Sequence, residues 1–229
     1  MDFIVVSWWG MYNQSDRHSF INNSTVQIFQ VARANFTNVK VAVMVEPFNE
    51  SGTYNFTEVY DWVFSNLVEQ YPTVYFKVDG KPLLCFFNDE NMTSPDVFKG
   101  DDKFTVKIVG NDQNTEWLYD CVTQKNNPTP PTPRDSQISV SPRFDDFYVR
   151  ENNETVDTKL EYLYAQQWQK ALDYAKQNAI DFITITSWHE FPERTAIEPH
   201  YDATASNRDP YCLYNQTKDY ISQVHLLSK

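Results

Sequence analysis

Apolar residues in this chain come in short runs, separated by longer stretches where they recur every three or four positions. The runs Phe3–Ser7, Val39–Val45, Pro82–Phe87, Phe104–Val109, Ile138–Val140 and Phe182–Thr186 are rich in β-branched and aromatic side chains. Such runs read as strands, with Trp117–Cys121 as a weaker seventh. Thr57–Gln70 sets Val59, Trp62, Val63, Phe64 and Leu67 near one helical face, with Asn55 or Thr57 as its cap. Thr155–Ala179 is the longest helical pattern, carried by Leu160, Leu163, Trp168, Ala171, Leu172 and Ala175. A last helix is expected over Leu213–Leu227, and the proline-rich stretch 128–133 reads as a stiff loop. Short strands alternating with helical patterns predict an α/β chain of βα units around a parallel sheet.

The run Phe182–Thr186 stops abruptly in the polar and aromatic segment Ser187-Trp188-His189-Glu190-Phe191-Pro192-Glu193, closed by Ile197-Glu198-Pro199. Loops at the C-terminal ends of parallel strands build the active sites of α/β barrels. Two carboxyl groups close together beside indole rings suit acid/base chemistry on a sugar. Like charges at short range separate the two pKa values, so that one group stays ionised while the other holds its proton.

A chain of 229 residues buries one sizeable core, and a single domain over 1–229 is expected. The formal charge of -12 and the absence of a basic stripe argue against a nucleic-acid partner. An aromatic content of 16% suits stacking on sugar faces, and equally suits ring packing inside a barrel. No apolar run approaches the roughly 20 residues that cross a bilayer, so no transmembrane segment is expected. Cys85, Cys121 and Cys212 lack metal-ligand spacing, and His18, His189, His200 and His225 are scattered; neither a metal nor another cofactor is expected. Cys85 reads as a buried apolar residue, while Cys121 and Cys212 are candidates for a disulfide in an oxidising compartment.

Asparagine speaks to that compartment. Nine Asn-x-Ser/Thr acceptors are present, at Asn13, Asn22, Asn23, Asn35, Asn49, Asn55, Asn91, Asn153 and Asn215. Chance would supply about two or three, so the excess predicts a secreted or surface-displayed glycoprotein. The alternative source is a genome rich in Asn and Thr. An exported chain would have its targeting signal upstream of Met1 or already removed, because Phe3-Ile4-Val5-Val6 opens directly as a strand.

Four segments, in order, carry a resemblance. Val5-Val6-Ser7-Trp8-Trp9-Gly10 is similar to a second-strand motif of the form VVSWW. Val41-Ala42-Val43-Met44-Val45-Glu46-Pro47-Phe48 is similar to a third strand of the form VAFHIEPY, and Gly80-Lys81-Pro82 with its strand to DGKPVFFVYD. The segment 185–199 lines up without gaps on ITSFNEWHEGTQIEP. These motifs belong to the endo-α-mannosidase family, glycoside hydrolase family 99, and its looser bacterial and archaeal relatives, which the chain resembles up to about Tyr201.

The resemblance implies a (β/α)8 TIM barrel acting on α-linked mannose with retention, its partner an oligosaccharide or polysaccharide glycan. Only six or seven strands are visible here, so the barrel is expected to be truncated at its first strand, which would precede Met1. By the same resemblance Glu190 is the base that deprotonates the neighbouring 2-hydroxyl, forming a 1,2-anhydro sugar. Glu193 is the acid that protonates the leaving oxygen and later activates water. Trp9 and Glu46 are implied substrate contacts, with Trp8, Trp188 and His189 as further candidates. Strand alternation sends Trp8 and Trp9 to opposite sides, one under the helices and one toward the site. The pattern departs from the family at Phe191 for Trp, Pro192 for His, Arg194 for Gly and His189 for Asn. A guanidinium beside Glu193 favours the ionised carboxyl, which suits an acid poorly unless it points to Glu198. These departures leave a second reading open, a non-catalytic surface glycoprotein that keeps a sugar-binding barrel.

Overall fold

The computed structural model describes residues 2–10, 16–35, 38–47, 55–87, 102–111, 115–119, 132–145, 155–156, 161–201 and 208–227. They divide into two units, Met1–Glu116 and Trp117–Lys229.

In the first unit the elements are β1 (Phe3–Trp8), α1 (Asp16–Ala34), β2 (Lys40–Val45), α2 (Phe56–Val63), β3 (Lys77–Val78), β4 (Lys81–Phe87) and β5 (Thr105–Gly110). β1, β2, β4 and β5 lie side by side in that order, all parallel, and β3 pairs antiparallel with β4. Asp79 and Gly80 link β3 to β4 at φ of 52° and 81°. Two successive positive φ values mark the tight hairpin turn whose twist matches the strands, and Asp-Gly is the pair that adopts it at low cost. The α2 cap is Asn55, whose Oδ1 accepts the Glu58 N–H at 3.4 Å. α2 runs on into one π-helical stretch, Phe64–Val68.

Register divides this sheet into two faces. The rows Val6–Val43–Leu84–Val106 and Trp8–Val45–Phe86–Ile108 cross all four strands and pack under the helices. Phe29 of α1 stacks on Tyr75 at 5.6 Å, Tyr60 of α2 meets Phe86 edge-on at 5.8 Å, and Val59, Val63 and Leu67 complete this core. The opposite face carries the row Ser7–Met44–Cys85–Lys107, with Val5 and Trp9 exposed on either side of Ser7 along β1. Cys85 is buried there, and burial pushes its thiol up to about 12 against the pull of the Lys107 charge.

Helix α1 has no counterpart among the expected elements. Its inward positions, Asn22, Thr25, Val26, Phe29 and Ala32, do follow helical spacing, but two of the five are polar. Phe20, Ile28 and Val31 are meanwhile exposed on the same helix, so apolar residues alone do not trace its buried stripe.

The second unit holds β6 (Trp117–Leu118), β7 (Gln137–Val140), β8 (Phe144–Asp145), β9 (Thr155–Val156), α3 (Glu161–Lys176), β10 (Phe182–Ile185) and α4 (Cys212–Leu227). β7 and β10 are parallel, with Ile138 beside Ile183 and Val140 beside Ile185. That apolar face packs on α3 and α4, where Trp168 stacks on Tyr220 at 5.3 Å and Tyr164 Oη meets Thr217 Oγ1 at 2.8 Å. The other face is polar. Gln137, fully buried, accepts the Leu118 N–H at 2.9 Å and donates to Leu118 O at 3.1 Å and to Thr184 Oγ1 at 2.5 Å. Ser139 Oγ–H donates to Tyr119 O at 2.9 Å, and Thr186 Oγ–H donates to the same carbonyl.

The helix expected over Thr155–Ala179 is shorter. Thr155–Val156 is a strand paired antiparallel with Phe144–Asp145, in keeping with its β-branched side chains, and the helix begins at Glu161. Asn178, at φ 52°, closes it in the left-handed conformation that suits a helix end. No helix among the described residues is long and apolar enough to cross a membrane.

Trp8 and Trp9 give a test of the two-faced sheet. Trp8→Ala empties a core site and is expected to lower unfolding free energy by about 3–5 kcal/mol. Trp9→Ala, on the exposed face, should change it by less than about 1 kcal/mol. Urea unfolding of both variants measures the contrast, and equal losses would contradict the assignment of faces.

Candidate functional site

β10 delivers the chain into a loop that folds back on itself. Ser187 N–H donates to Thr195 O at 3.2 Å, Ile197 N–H to Ser187 O at 3.1 Å and Glu198 N–H to Trp188 O at 2.9 Å. These bonds make a narrow neck, and Glu190 to Thr195 forms a turn at its tip. The turn closes through Thr195 N–H to Glu190 O at 3.2 Å and Arg194 N–H to Phe191 O at 3.0 Å. Ser187 Oγ accepts the Glu190 N–H at 3.0 Å and lies 2.7 Å from Thr195 Oγ1, so one hydroxyl pins both ends of the turn. The two glutamates are therefore the first and fourth residues of a single turn.

Both carboxylate-bearing residues are half-buried, whereas Trp188, His189, Phe191 and Pro192 are exposed around them. Trp188 meets Tyr214 of α4 edge-on at 6.3 Å, and Phe191 meets His200 edge-on at 5.1 Å. Two half-buried glutamates on one turn are of the residue type that general acid/base chemistry uses. Among the described residues no group of three His, Cys, Asp or Glu is placed to hold a metal ion.

The turn is anchored from β8 and the residue before it. Asp145 N–H donates to Glu193 O at 2.9 Å, and Arg143 Nε–H donates to Arg194 O at 2.5 Å. The Arg194 guanidinium lies 2.7 Å from Asp145 Oδ2, with the two side chains 14% and 10% exposed. The cation beside Glu193 is thus paired with Asp145, a partner other than the Glu198 considered from sequence. Arg194 itself sits at φ 56°, the left-handed region that favours glycine. Arg143 also approaches His200 Nε2 at 3.0 Å, while His200 Nδ1 lies 2.6 Å from Glu198 O. A guanidinium only donates and a carbonyl only accepts, so the His200 proton sits on Nδ1. Beside these residues is a hollow of about 10 Å³, room for one water, lined also by Arg208, Asp209, Pro210 and Leu213.

The remaining candidates belong to the first unit. Ser7 Oγ–H donates to Glu46 Oε1, and Glu46 N–H donates to Trp8 O at 2.9 Å, so Glu46 is fastened at the C-terminal ends of β1 and β2. Trp9 is 38% exposed on the face that carries Ser7. Trp8 is a correction to the list of substrate contacts. Its indole is fully buried, stacked on Trp62 at 4.7 Å, and its Nε1–H donates to Asn22 Oδ1 at 3.0 Å. It is a packing residue. Ser7 and Arg143 were not singled out from sequence, and neither was the pairing of Asp145 with Arg194. Alternation along β1 places Ser7 with Trp9, but no local pattern joins Asp145 to Arg194.

Of the sequons, Asn23, Asn35, Asn55 and Asn215 are exposed and Asn22 is half-buried against Trp8. Asn13, Asn49, Asn91 and Asn153 lie outside the described residues, as does Cys121.

No protein-family model matches the chain, and no curated protein matches it. Solved structures do. A GH99 endo-α-mannosidase from Bacteroides thetaiotaomicron, in complex with bis-tris-propane, is similar with a TM-score of 0.67 at 15% identity, covering 98% of this chain and 79% of that one. A second structure of the GH99 endo-α-mannosidase from the same organism gives 0.67 at 16% identity, covering 99% and 76%. The chain therefore has a GH99-like fold, mixed α/β with parallel strands and compatible with a truncated TIM barrel.

The Ser187 hydroxyl is the cheapest test of the loop. Ser187→Ala removes the acceptor of the Glu190 N–H and is expected to cost about 0.5–1.5 kcal/mol in denaturant unfolding. Ser187→Thr, which keeps the hydroxyl, should recover part of that loss; identical losses in both would show that the hydroxyl does not hold the turn.

Proposed function

We propose that the protein is a glycoside hydrolase that cleaves α-mannosidic linkages inside glycans with retention of configuration. The observation that carries this reading is a joint one. The fold overlaps a GH99 endo-α-mannosidase over 98% of the chain, and segment 185–199, with its two half-buried glutamates on one turn, matches that family's motif without gaps. On this reading the chain is a single (β/α)8 barrel truncated at its first strand.

Glu190 takes the proton of the 2-hydroxyl, and the resulting O2 attacks the anomeric carbon to form a 1,2-anhydro sugar. Glu193 protonates the departing glycosidic oxygen, and as a carboxylate it then takes a proton from the water that opens the anhydro ring, while Glu190 returns its proton to O2. Two displacements at one carbon return the original configuration. Trp9 offers a ring face for a sugar, and Glu46 offers carboxylate oxygens for its hydroxyls, one of them held by Ser7. Trp188 and His189, exposed at the rim of the turn, are further candidate contacts.

The test is incubation with mannose-rich oligosaccharides, with released di- or trisaccharide followed by mass spectrometry and its anomeric configuration by NMR. Glu193→Gln and Glu190→Gln should each lower turnover by at least about 100-fold. Glycan binding by the unaltered protein without any product would favour instead the non-catalytic, sugar-binding reading.

The density of sequons supports a secreted or surface-displayed glycoprotein, with glycans on the exposed Asn23, Asn35, Asn55 and Asn215. Thr25 and Thr217, the hydroxyl residues of two of these sequons, are buried and donate to the helix carbonyls of Ile21 and Leu213. Attachment at Asn23 and Asn215 would therefore precede folding of those helices. The intact mass of natively produced protein should exceed that of the polypeptide by several hexose and N-acetylhexosamine units, and a bare polypeptide mass would refute this assignment.

A further inference from the structure

We propose that Asp145 is the positioning residue of the turn that carries Glu190 and Glu193, acting through its buried ion pair with Arg194. The inference rests on the hydrolase reading only for its kinetic consequence. Its structural basis is independent of that reading.

Asp145 touches the Glu193–Arg194 dipeptide twice. Its backbone N–H holds the Glu193 carbonyl at 2.9 Å, and its carboxylate holds the Arg194 guanidinium at 2.7 Å. Arg143 adds a third contact from the same segment, Nε–H to the Arg194 carbonyl at 2.5 Å. Two consecutive carbonyls and the intervening side chain are thus fixed by residues about fifty positions away. The Cα of Glu193 is bonded directly to the first of these carbonyls, so the peptide plane that the Asp145 N–H holds sets the direction in which the Glu193 side chain leaves the backbone.

The ion pair has a second effect. Arg194 follows Glu193 directly, and an uncompensated guanidinium there would draw the Glu193 carboxylate toward itself. Asp145, only 10% exposed, supplies that cation with a buried counter-charge. Arg194 also adopts φ 56°, so a glycine at this position would accept the same backbone. The pair can therefore be dissected without disturbing the path of the chain.

Three variants test the proposal, Asp145→Ala, Arg194→Gly and the two combined, each read by amide hydrogen exchange and by steady-state kinetics. Asp145→Ala strands a buried guanidinium. It should speed exchange of the Thr195, Ile197 and Glu198 amides by about tenfold while α3 and α4 keep their protection. On mannose-rich oligosaccharide, kcat should fall about tenfold or more with KM within about threefold, as expected for a misaimed group that does not anchor substrate. The double variant, with neither charge, should recover at least about fivefold of the lost kcat and much of the lost protection.

If Asp145→Ala does not fold, Asp145→Asn keeps the backbone contact and the volume, and carries the same expectations. Faster exchange throughout residues 117–229, or losses that simply add in the double variant, would overturn the proposal by making the pair a general stabiliser. The exchange pattern confined to the turn, in a protein that cleaves no α-mannoside, would uphold the positioning role and refute the hydrolase reading alone.

Discussion

In both units the parallel strands give one face to helices, in the second unit the other face goes to polar groups, and register carries that division from strand to strand. A side chain on a pleated strand cannot choose its face independently of its neighbours, because successive residues alternate. Once Val6 and Trp8 face α1 and α2, Ser7 and Trp9 face the other way, and the cross-strand partners Met44 and Cys85 follow Ser7. The same rule in the second unit puts Ile138, Val140, Ile183 and Ile185 under α3 and α4, and leaves Gln137, Ser139, Thr184 and Thr186 on the polar face. Buried polar groups on such a face must find partners. Here Gln137 and Ser139 do so by tying down residues 117–119, so the polar face is held as firmly as the apolar one.

The loop after β10 has no such ladder. Its backbone groups are satisfied pairwise across the neck, and its tip is held by carbonyl contacts from Arg143 and Asp145. A turn built this way has a definite shape only while each contact persists, and each involves a particular residue. The sheet tolerates many apolar substitutions that keep the alternation. The turn tolerates few. The tolerance of the sheet explains how a fold can be shared with endo-α-mannosidase structures at 15–16% identity.

The same asymmetry governs what could be read in advance. Strands were legible because β-branched runs such as Val41–Val45 and Phe182–Ile185 need only local composition to be seen, and their observed limits differ from expectation by about one residue. Helix α1 was not legible, since Asn22 and Thr25 occupy inward positions and Phe20, Ile28 and Val31 are exposed. Thr155–Val156 was assigned to the helix whose periodic positions begin only at Leu160, and its pairing with Phe144–Asp145 is a long-range fact. At the candidate site, motif and strand end together pointed to Glu190 and Glu193, two residues of one turn. The anchor was invisible, because Asp145 and Arg194 are far apart in the chain and neither has a local pattern that implies the other.

Arg194 shows how a residue other than glycine can be held in a left-handed backbone conformation. A left-handed backbone at a residue with a Cβ costs on the order of 1 kcal/mol relative to glycine, and a buried guanidinium costs more unless it is paired. Taken alone, arginine is a poor replacement at this position. The counter-ion changes the balance, because Asp145 accepts from the guanidinium and, through its own N–H, also holds the adjacent carbonyl. Strain at one residue is then offset by contacts that fix the next, and the turn is held more closely than glycine alone would hold it. The substitution at 194 and the acid at 145 therefore have meaning only as a pair, and a reading of either residue in isolation would misjudge the site.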